Sequence, residues 1–175
     1  MKTLILYGTT HGSTAFCAKK LAAELGSAET TELKHFSGSI APYDCIIIGS
    51  PIYGGSVLKE VRSFCKADRT ALLQKKFAVF FSCLSESETS VKNYLSQNFS
   101  KELAAHTLAC ASLGGAFYFT KLNFLERAID RGLAKGYANS MGIAVPDGKS
   151  DFVTVTDEKV KHFAEKIKKA AGDGQ

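Results

Sequence analysis

Cys45-Ile46-Ile47-Ile48-Gly49 is an unbroken apolar run, and no other stretch of the chain narrows the fold so far. A strand with one face in water alternates apolar and polar residues, whereas a strand without that alternation needs cover on both faces. A central strand of a parallel sheet, with helices above and below, has that cover. The flanking pattern agrees: strand-like segments at 2–7, 30–33, 45–49, 77–82 and 107–113 alternate with helix-like segments at 14–25, 57–67, 91–99 and 157–170. Five short strands linked by helices imply a doubly wound α/β sheet with right-handed crossovers. In the first helix Phe16, Leu21 and Leu25 are expected to turn inward and Lys19 and Lys20 outward. Ser85 and Glu88 have capping-box spacing before the third helix, and Thr156 is the expected N-cap of the last.

The chain of 175 residues fits one domain, 1–175, able to bury roughly 70% of its unfolded surface. No apolar run approaches a membrane span, and Met1-Lys2-Thr3 leads straight into a strand pattern without signal-peptide architecture, so a cytoplasmic protein is expected. Five cysteines, Cys17, Cys45, Cys65, Cys83 and Cys110, are scattered and never in C-x-x-C spacing, which reads as reduced thiols and not as a disulfide framework or zinc site. His35, His106 and His162 lie far apart, and no metal site is expected. The net charge of +5 permits anionic partners without indicating nucleic acid, and solvated helix faces account for most of the lysines.

One interval breaks the alternation. Between Gly115 and Asp157 the chain runs through Phe117-Tyr118-Phe119, a helix-like stretch at 124–137 and Phe152-Val153-Thr154-Val155. A connection this long is uncommon without a function. It reads as an insertion of about 116–156 before the last helix.

Three loops follow the carboxyl ends of strands, where open α/β sheets bind ligands. Thr9-Thr10-His11-Gly12-Ser13-Thr14, between strand one and helix one, offers hydroxyls, backbone N–H groups and the positive end of a helix dipole, which suits a phosphate. It has neither the lysine of a triphosphate loop nor a G-x-G-x-x-G, so a terminal monophosphate fits best. The alternative is a plain strand-to-helix connection with Thr14 as N-cap. Ser50-Pro51-Ile52-Tyr53-Gly54-Gly55 supplies a flat aromatic face beside two glycines, and Ser82-Cys83-Leu84-Ser85 lies after strand four. The shared location suits a planar heterocycle carrying a phosphate.

With these residues in view, the chain resembles the flavodoxin superfamily over nearly its whole length. The resemblance implies a flavodoxin-like three-layer α/β sandwich, a five-stranded parallel sheet in the order 2-1-3-4-5, and noncovalent FMN. It implies a phosphate site at Thr9, Thr10, His11, Gly12, Ser13 and Thr14, with Tyr53 stacking on the isoalloxazine between Pro51, Ile52, Gly54 and Gly55. Ser82, Cys83, Leu84 and Ser85 would line the ring, as would Gly114 and Gly115. His11 stands where electron-carrier flavodoxins usually have Thr, and the loop after strand four lacks the aromatic many of them use as a second stacking partner. The stretch from Gly114-Gly115-Ala116-Phe117-Tyr118-Phe119-Thr120-Lys121 to Leu122-Asn123-Phe124-Leu125-Glu126-Arg127 is similar to the menaquinone-dependent protoporphyrinogen oxidases of this superfamily.

That narrower likeness implies an FMN-binding dehydrogenase passing electrons from a porphyrinogen-like donor to a quinone-type acceptor; a soluble electron carrier is the alternative. No residue stands out as a catalytic base. A basic chain favours acidic partners, anionic lipid or a carboxylate-bearing substrate. Arg127, Arg131 and Lys135 recur every four residues on the inserted helix-like stretch, opposite Phe124, Ala128, Ile129 and Leu133. This describes either a peripheral contact with the inner face of a membrane or its quinone, or a helix packed on its own domain with Glu126 and Asp130 pairing the arginines. Tyr118 would either close over the flavin or pack beneath the insertion.

Overall fold

The computed structural model describes residues 1–26, 28–121, 128, 131–132, 134–136, 138–139 and 145–172. Five strands, β1 (Thr3–Tyr7), β2 (Ala28–Glu32), β3 (Cys45–Pro51), β4 (Lys76–Ser82) and β5 (Ala109–Ser112), pair in the order β2-β1-β3-β4-β5. Every pairing in this sheet is parallel. Around this sheet stand α1 (Ser13–Leu25), α2 (Lys59–Ala67), α3 (Arg69–Leu72), α4 (Glu88–Asn98), α5 (Lys101–His106) and α6 (Asp157–Ala170). This is the sheet order expected of a flavodoxin-like chain.

The two-residue period of the strands sorts their side chains into two cores. On one face Leu4, Leu6, Ile46, Ile48, Phe77 and Val79 meet Val61, Cys65, Leu72, Val91 and Leu103 from α2 to α5. On the other, Ile5, Ile47, Ala78 and Phe80 meet Cys17, Ala18 and Leu21 of α1 and Val160, Phe163 and Ile167 of α6. Ile46, Ile47 and Ile48 are all fully buried, each burial contributing about 1.5–3 kcal/mol. Gly49 is small because Phe80, its partner across the β3–β4 pair, lies over it: a Cβ at Gly49 would stand 2.2 Å from the ring.

Several local expectations are corrected. Phe16 points outward and is 37% exposed. The buried stripe of α1 is Thr14, Cys17, Ala18 and Leu21, which is true helical spacing, whereas Phe16 and Leu21, five residues apart, stand about 140° from each other around the axis. The cap of α4 is Ser87, whose hydroxyl accepts from the Ser90 N–H at 3.2 Å, and not Ser85 in a box with Glu88. The second strand covers Ala28–Glu32, and Leu33 begins a one-turn 3₁₀ helix, Leu33–His35. That strand lies at the sheet's edge, its residues only half-buried or exposed, so it carries little apolar signal. Helices α3 and α5 are further additions; Ser100 caps α5 through its hydroxyl. Thr156 does cap α6, accepting from the Lys159 N–H.

The insertion leaves and returns through a short antiparallel ladder, β6 (Ala116–Phe117) with β7 (Phe152–Val153). Its base is clamped twice. The Thr154 N–H donates to the Gly115 carbonyl and the Gly115 N–H donates to Thr154 Oγ1, each at 2.9 Å. Gly114 takes a φ of 90° and lies so close to the returning strand that a Cβ would stand 2.6 Å from the Thr154 carbonyl oxygen, so only glycine fits. Phe119 and Ala134 form a small buried cluster of their own, with Phe152 packed against it. The described residues of 128–139 are helical. The expectations for Leu122, Asn123, Phe124, Leu125, Glu126, Arg127, Ile129, Asp130, Leu133 and Tyr137 lie outside the described residues.

Candidate functional site

The register sets the site. Pro51 pairs with Ser82 at the carboxyl ends of β3 and β4, and Tyr7 pairs with Gly49, so the loops leaving β1, β3 and β4 emerge side by side.

In the first loop Thr9 Oγ1 accepts from the Gly12 N–H at 3.0 Å, closing a turn. Gly12, at φ 91°, then starts α1: its carbonyl takes the Phe16 N–H, and no side chain caps the helix. The first N–H groups of a helix have no helical acceptor, so those of α1 are presented to whatever occupies the loop. Thr14 is not the cap. Its side chain is fully buried and its hydroxyl meets the Ser82 hydroxyl at 2.6 Å, tying the first loop to the end of β4.

The second loop is a tight hairpin. Tyr53 and Ser56 exchange both backbone hydrogen bonds, at 2.9 and 3.0 Å, around Gly54 and Gly55 at φ 55° and 80°. Two successive positive φ values make the primed turn that only glycine-like residues adopt cheaply. Ser50 braces its foot, its hydroxyl accepting from the Leu58 N–H and donating to the Pro51 carbonyl. Tyr53 is left 49% exposed at the tip.

The third loop is fastened from below. Cys83 Sγ donates to the Ser85 carbonyl at 3.4 Å, and Ser112 donates to the Cys83 carbonyl at 2.9 Å. Lys159 of α6 reaches both Glu86 and the Thr154 carbonyl, at 2.7 and 2.9 Å, joining this loop to the base of the insertion. Burial raises the Cys83 thiol pKa and pushes Cys17 up to about 12. Neither is a thiolate near neutrality, which suits packing and not nucleophilic chemistry.

These loops enclose a cleft of about 260 Å³. It is lined by His11 and Ser13 from the first loop, Pro51, Ile52 and Tyr53 from the second, and Ser82, Cys83, Leu84 and Ser85 from the third. Gly115 completes the wall, with space for a Cβ only 3.3 Å from Leu84. Thr9, Thr10, Gly12, Thr14, Gly54, Gly55 and Gly114 lie outside the cleft lining: Thr9 and Gly12 shape the first loop, Thr14 is buried behind it, and the glycines make turns. Two lining residues were not foreseen. Ala116 enters from the base of the insertion, and Tyr94 enters from the middle of α4, packed edge-on against Phe81 at 5.9 Å. Nothing local marks Tyr94, since a tyrosine in a helix reads as packing until its neighbours are known. Tyr118 does not line the cleft; it is half-buried, and burial, with Cys17 and Asp151 nearby, raises its hydroxyl pKa. Among the described residues no cluster of His, Cys, Asp or Glu is arranged to hold a metal, and no helix is long and apolar enough to cross a membrane.

A loop of hydroxyls and helix N–H groups adjoining an aromatic slot can hold a phosphorylated planar ring. The family relationship agrees with that chemistry. A family model described as Flavodoxin domain matches residues 4–139. Among solved structures the chain is similar to rubredoxin oxygen:oxidoreductase from Desulfovibrio gigas, at 17% identity and a TM-score of 0.59, covering 98% of this chain but 36% of that one. It is likewise similar to oxidised flavodoxin 2 from Bacillus cereus, at 18% identity and a TM-score of 0.56, covering 97% of this chain and 99% of that one. A short-chain flavodoxin associated with a non-canonical PDU bacterial microcompartment gives 16% identity and a TM-score of 0.54, with 98% and 99% covered. No curated protein matches. The chain belongs to the flavodoxin domain family.

Proposed function

We propose that this flavodoxin-domain protein is an FMN-dependent oxidoreductase whose flavin sits at the carboxyl edge of the sheet. The observation that carries the reading is the lysine-free loop of hydroxyls and helix N–H groups opening directly beside the aromatic cleft. FMN is its cofactor, and when bound it supplies the ring that accepts and returns electrons. Thr9, Thr10, His11, Gly12 and Ser13 are the residues for the phosphate, with Thr14 acting through Ser82 and not by direct contact. Pro51, Ile52 and Tyr53 would hold one side of the ring and Ser82, Cys83, Leu84, Ser85 and Gly115 the other, while Gly54, Gly55 and Gly114 fix the turns that carry them. The apolar side chains exclude water from the slot, and buried hydroxyls orient what enters it.

In the finer reading the protein is a dehydrogenase, taking electrons from a porphyrinogen-like donor and passing them to a quinone-type acceptor. Ala116 supports this, because it makes the base of the insertion part of the cleft wall. Arg131 and Lys135 are exposed on the insertion, placed for a carboxylate-bearing substrate or a peripheral contact with anionic lipid at the inner face of the membrane. The half-exposed Tyr53 favours a second reading, an electron carrier whose ring edge is reached by a partner protein.

The test begins with the visible spectrum of the purified protein and saturable quenching of FMN fluorescence by the apo-protein. Absence of both would end the FMN assignment. Oxidation of a reduced tetrapyrrole with a quinone acceptor supports the dehydrogenase, whereas reductase-dependent electron transfer without such turnover supports the carrier.

A further inference from the structure

Asn98, the last residue of α4, is 8% exposed, and its amide forms four hydrogen bonds. Oδ1 accepts from the Val57 N–H at 3.0 Å and from Arg62 Nη2 at 3.2 Å. Nδ2 donates to the Gly55 carbonyl and to the Tyr94 carbonyl, both at 2.9 Å. Those four bonds fill the capacity of a carboxamide, and they also fix which end is which, because a flipped amide would set its oxygen against two carbonyls and its NH₂ against two donors. A residue more than forty positions along the chain therefore holds the hairpin of Tyr53 at both Gly55 and Val57. The same amide holds the backbone of Tyr94, the second aromatic of the cleft.

We propose that Asn98 is the positioning residue of the aromatic cleft: it sets Tyr53, through the Gly54–Gly55 turn, relative to Tyr94, and so determines how a flavin ring is held. The inference rests on the FMN reading above. Tyr53 sits on a two-glycine turn, and a satisfied buried amide anchored on a helix gives that turn the rigidity of the sheet and helix layers. Asn98→Asp is the sharpest probe. It keeps the acceptor facing Val57 and Arg62 but sets an oxygen against the Gly55 and Tyr94 carbonyls.

The experiment is a double-mutant cycle of Asn98→Asp with Tyr53→Ala, titrated with FMN and with riboflavin and read by Kd and by the residual fluorescence of the bound flavin at saturation. Asn98→Asp is expected to raise both Kd values about tenfold, the loss of two hydrogen bonds, and to raise the emission of bound flavin. In the Tyr53→Ala background it should add little. A purely structural role would lower the folded fraction without changing the emission of bound flavin; unchanged emission, or an equal effect in both backgrounds, overturns the proposal. Asn98→Ala serves if the aspartate variant does not fold, because Asn98 also lines an open hollow of about 490 Å³ between α2 and α5 from which water can reach the freed groups. Amide exchange in the apo-protein gives a readout without FMN: the Val57 N–H should exchange faster in Asn98→Ala, which removes its acceptor, while β3 and β4 keep their protection, and unchanged Val57 exchange in that variant also overturns the clamp. Wild-type protein that takes up no FMN would count against the cofactor reading, and Val57 exchange would still decide the clamp.

Discussion

Thr14 and Ser82 each lie almost wholly out of solvent, and each uses the other's hydroxyl. A buried polar group that loses its partner pays the desolvation cost without return, so Thr14→Val is expected to destabilise the fold by about 1–2 kcal/mol, measured by urea denaturation of the apo-protein. Adding Ser82→Ala should recover part of the loss, because an apolar pair leaves nothing unsatisfied. A single variant with the wild-type urea midpoint would contradict a buried, mutually dependent pair. The roles of these two residues illustrate what local sequence hides. The T-x-x-G-x-T spacing places Thr14 at the head of a helix, where capping or ligand contact is the natural inference, but β4 delivers Ser82 to the same point from far along the chain. Gly114 answers a local and a tertiary demand at once: Gly114→Ala meets both a φ of 90° and the Thr154 carbonyl. That strain, about 1–3 kcal/mol, should appear as a lowered Tm.

At the scale of elements, the loop before α1 and the insertion make separate predictions. The loop contains no lysine or arginine, so in the proposed reading its grip on a phosphate would come from neutral hydroxyls and the N–H groups of α1. FMN affinity at pH 8 should then change less than about threefold between low and high salt, since screening acts mainly on exposed charge pairs; a steep loss of affinity would reveal a cation not drawn from the loop. The insertion divides into a base and a tip. Its base, Gly115, Ala116 and Thr154, belongs to the cleft wall and its fastening, whereas Phe119, Ala134 and Phe152 form a cluster of their own. Replacing residues 118–151 with an Asn-Gly turn between β6 and β7 keeps the base as a hairpin. The shortened protein is expected to retain the FMN spectrum and a Kd within about threefold, near the range of ordinary surface changes, while losing turnover with a tetrapyrrole donor or a reductase. Loss of FMN from a folded, shortened protein would make the tip part of the cofactor site; full activity would remove it from partner engagement.

For the molecule as a whole, the cysteines set an alkaline limit. Burial holds the thiols of Cys17 and Cys65 up at about 12, against an ordinary value of 9.0. The folded state thus keeps protons that the unfolded chain releases, so their contribution to stability is complete below pH 9, declines as pH rises above it, and is gone by about 12. Urea midpoints should fall progressively above pH 9 in wild type and less steeply in Cys17→Ala relative to its own value at pH 8; parallel curves would refute the linkage. What the sequence determined by itself is the layered plan. The run 45–49 requires two-sided cover, the alternation of segments implies a parallel sheet, and the small-residue loop after the first strand marks the turn into α1 at the sheet's carboxyl edge, because each signal is a periodicity or composition carried within one segment. The edge strand β2 was misplaced by about two residues, since a strand with little buried surface has little apolar pattern to read. The tertiary structure alone decided that Tyr94 and Ala116 line the cleft, that Thr14 faces Ser82, and that Asn98 holds the Tyr53 turn. Those contacts join residues tens of positions apart, and they follow from strand register and helix docking, which no local pattern encodes.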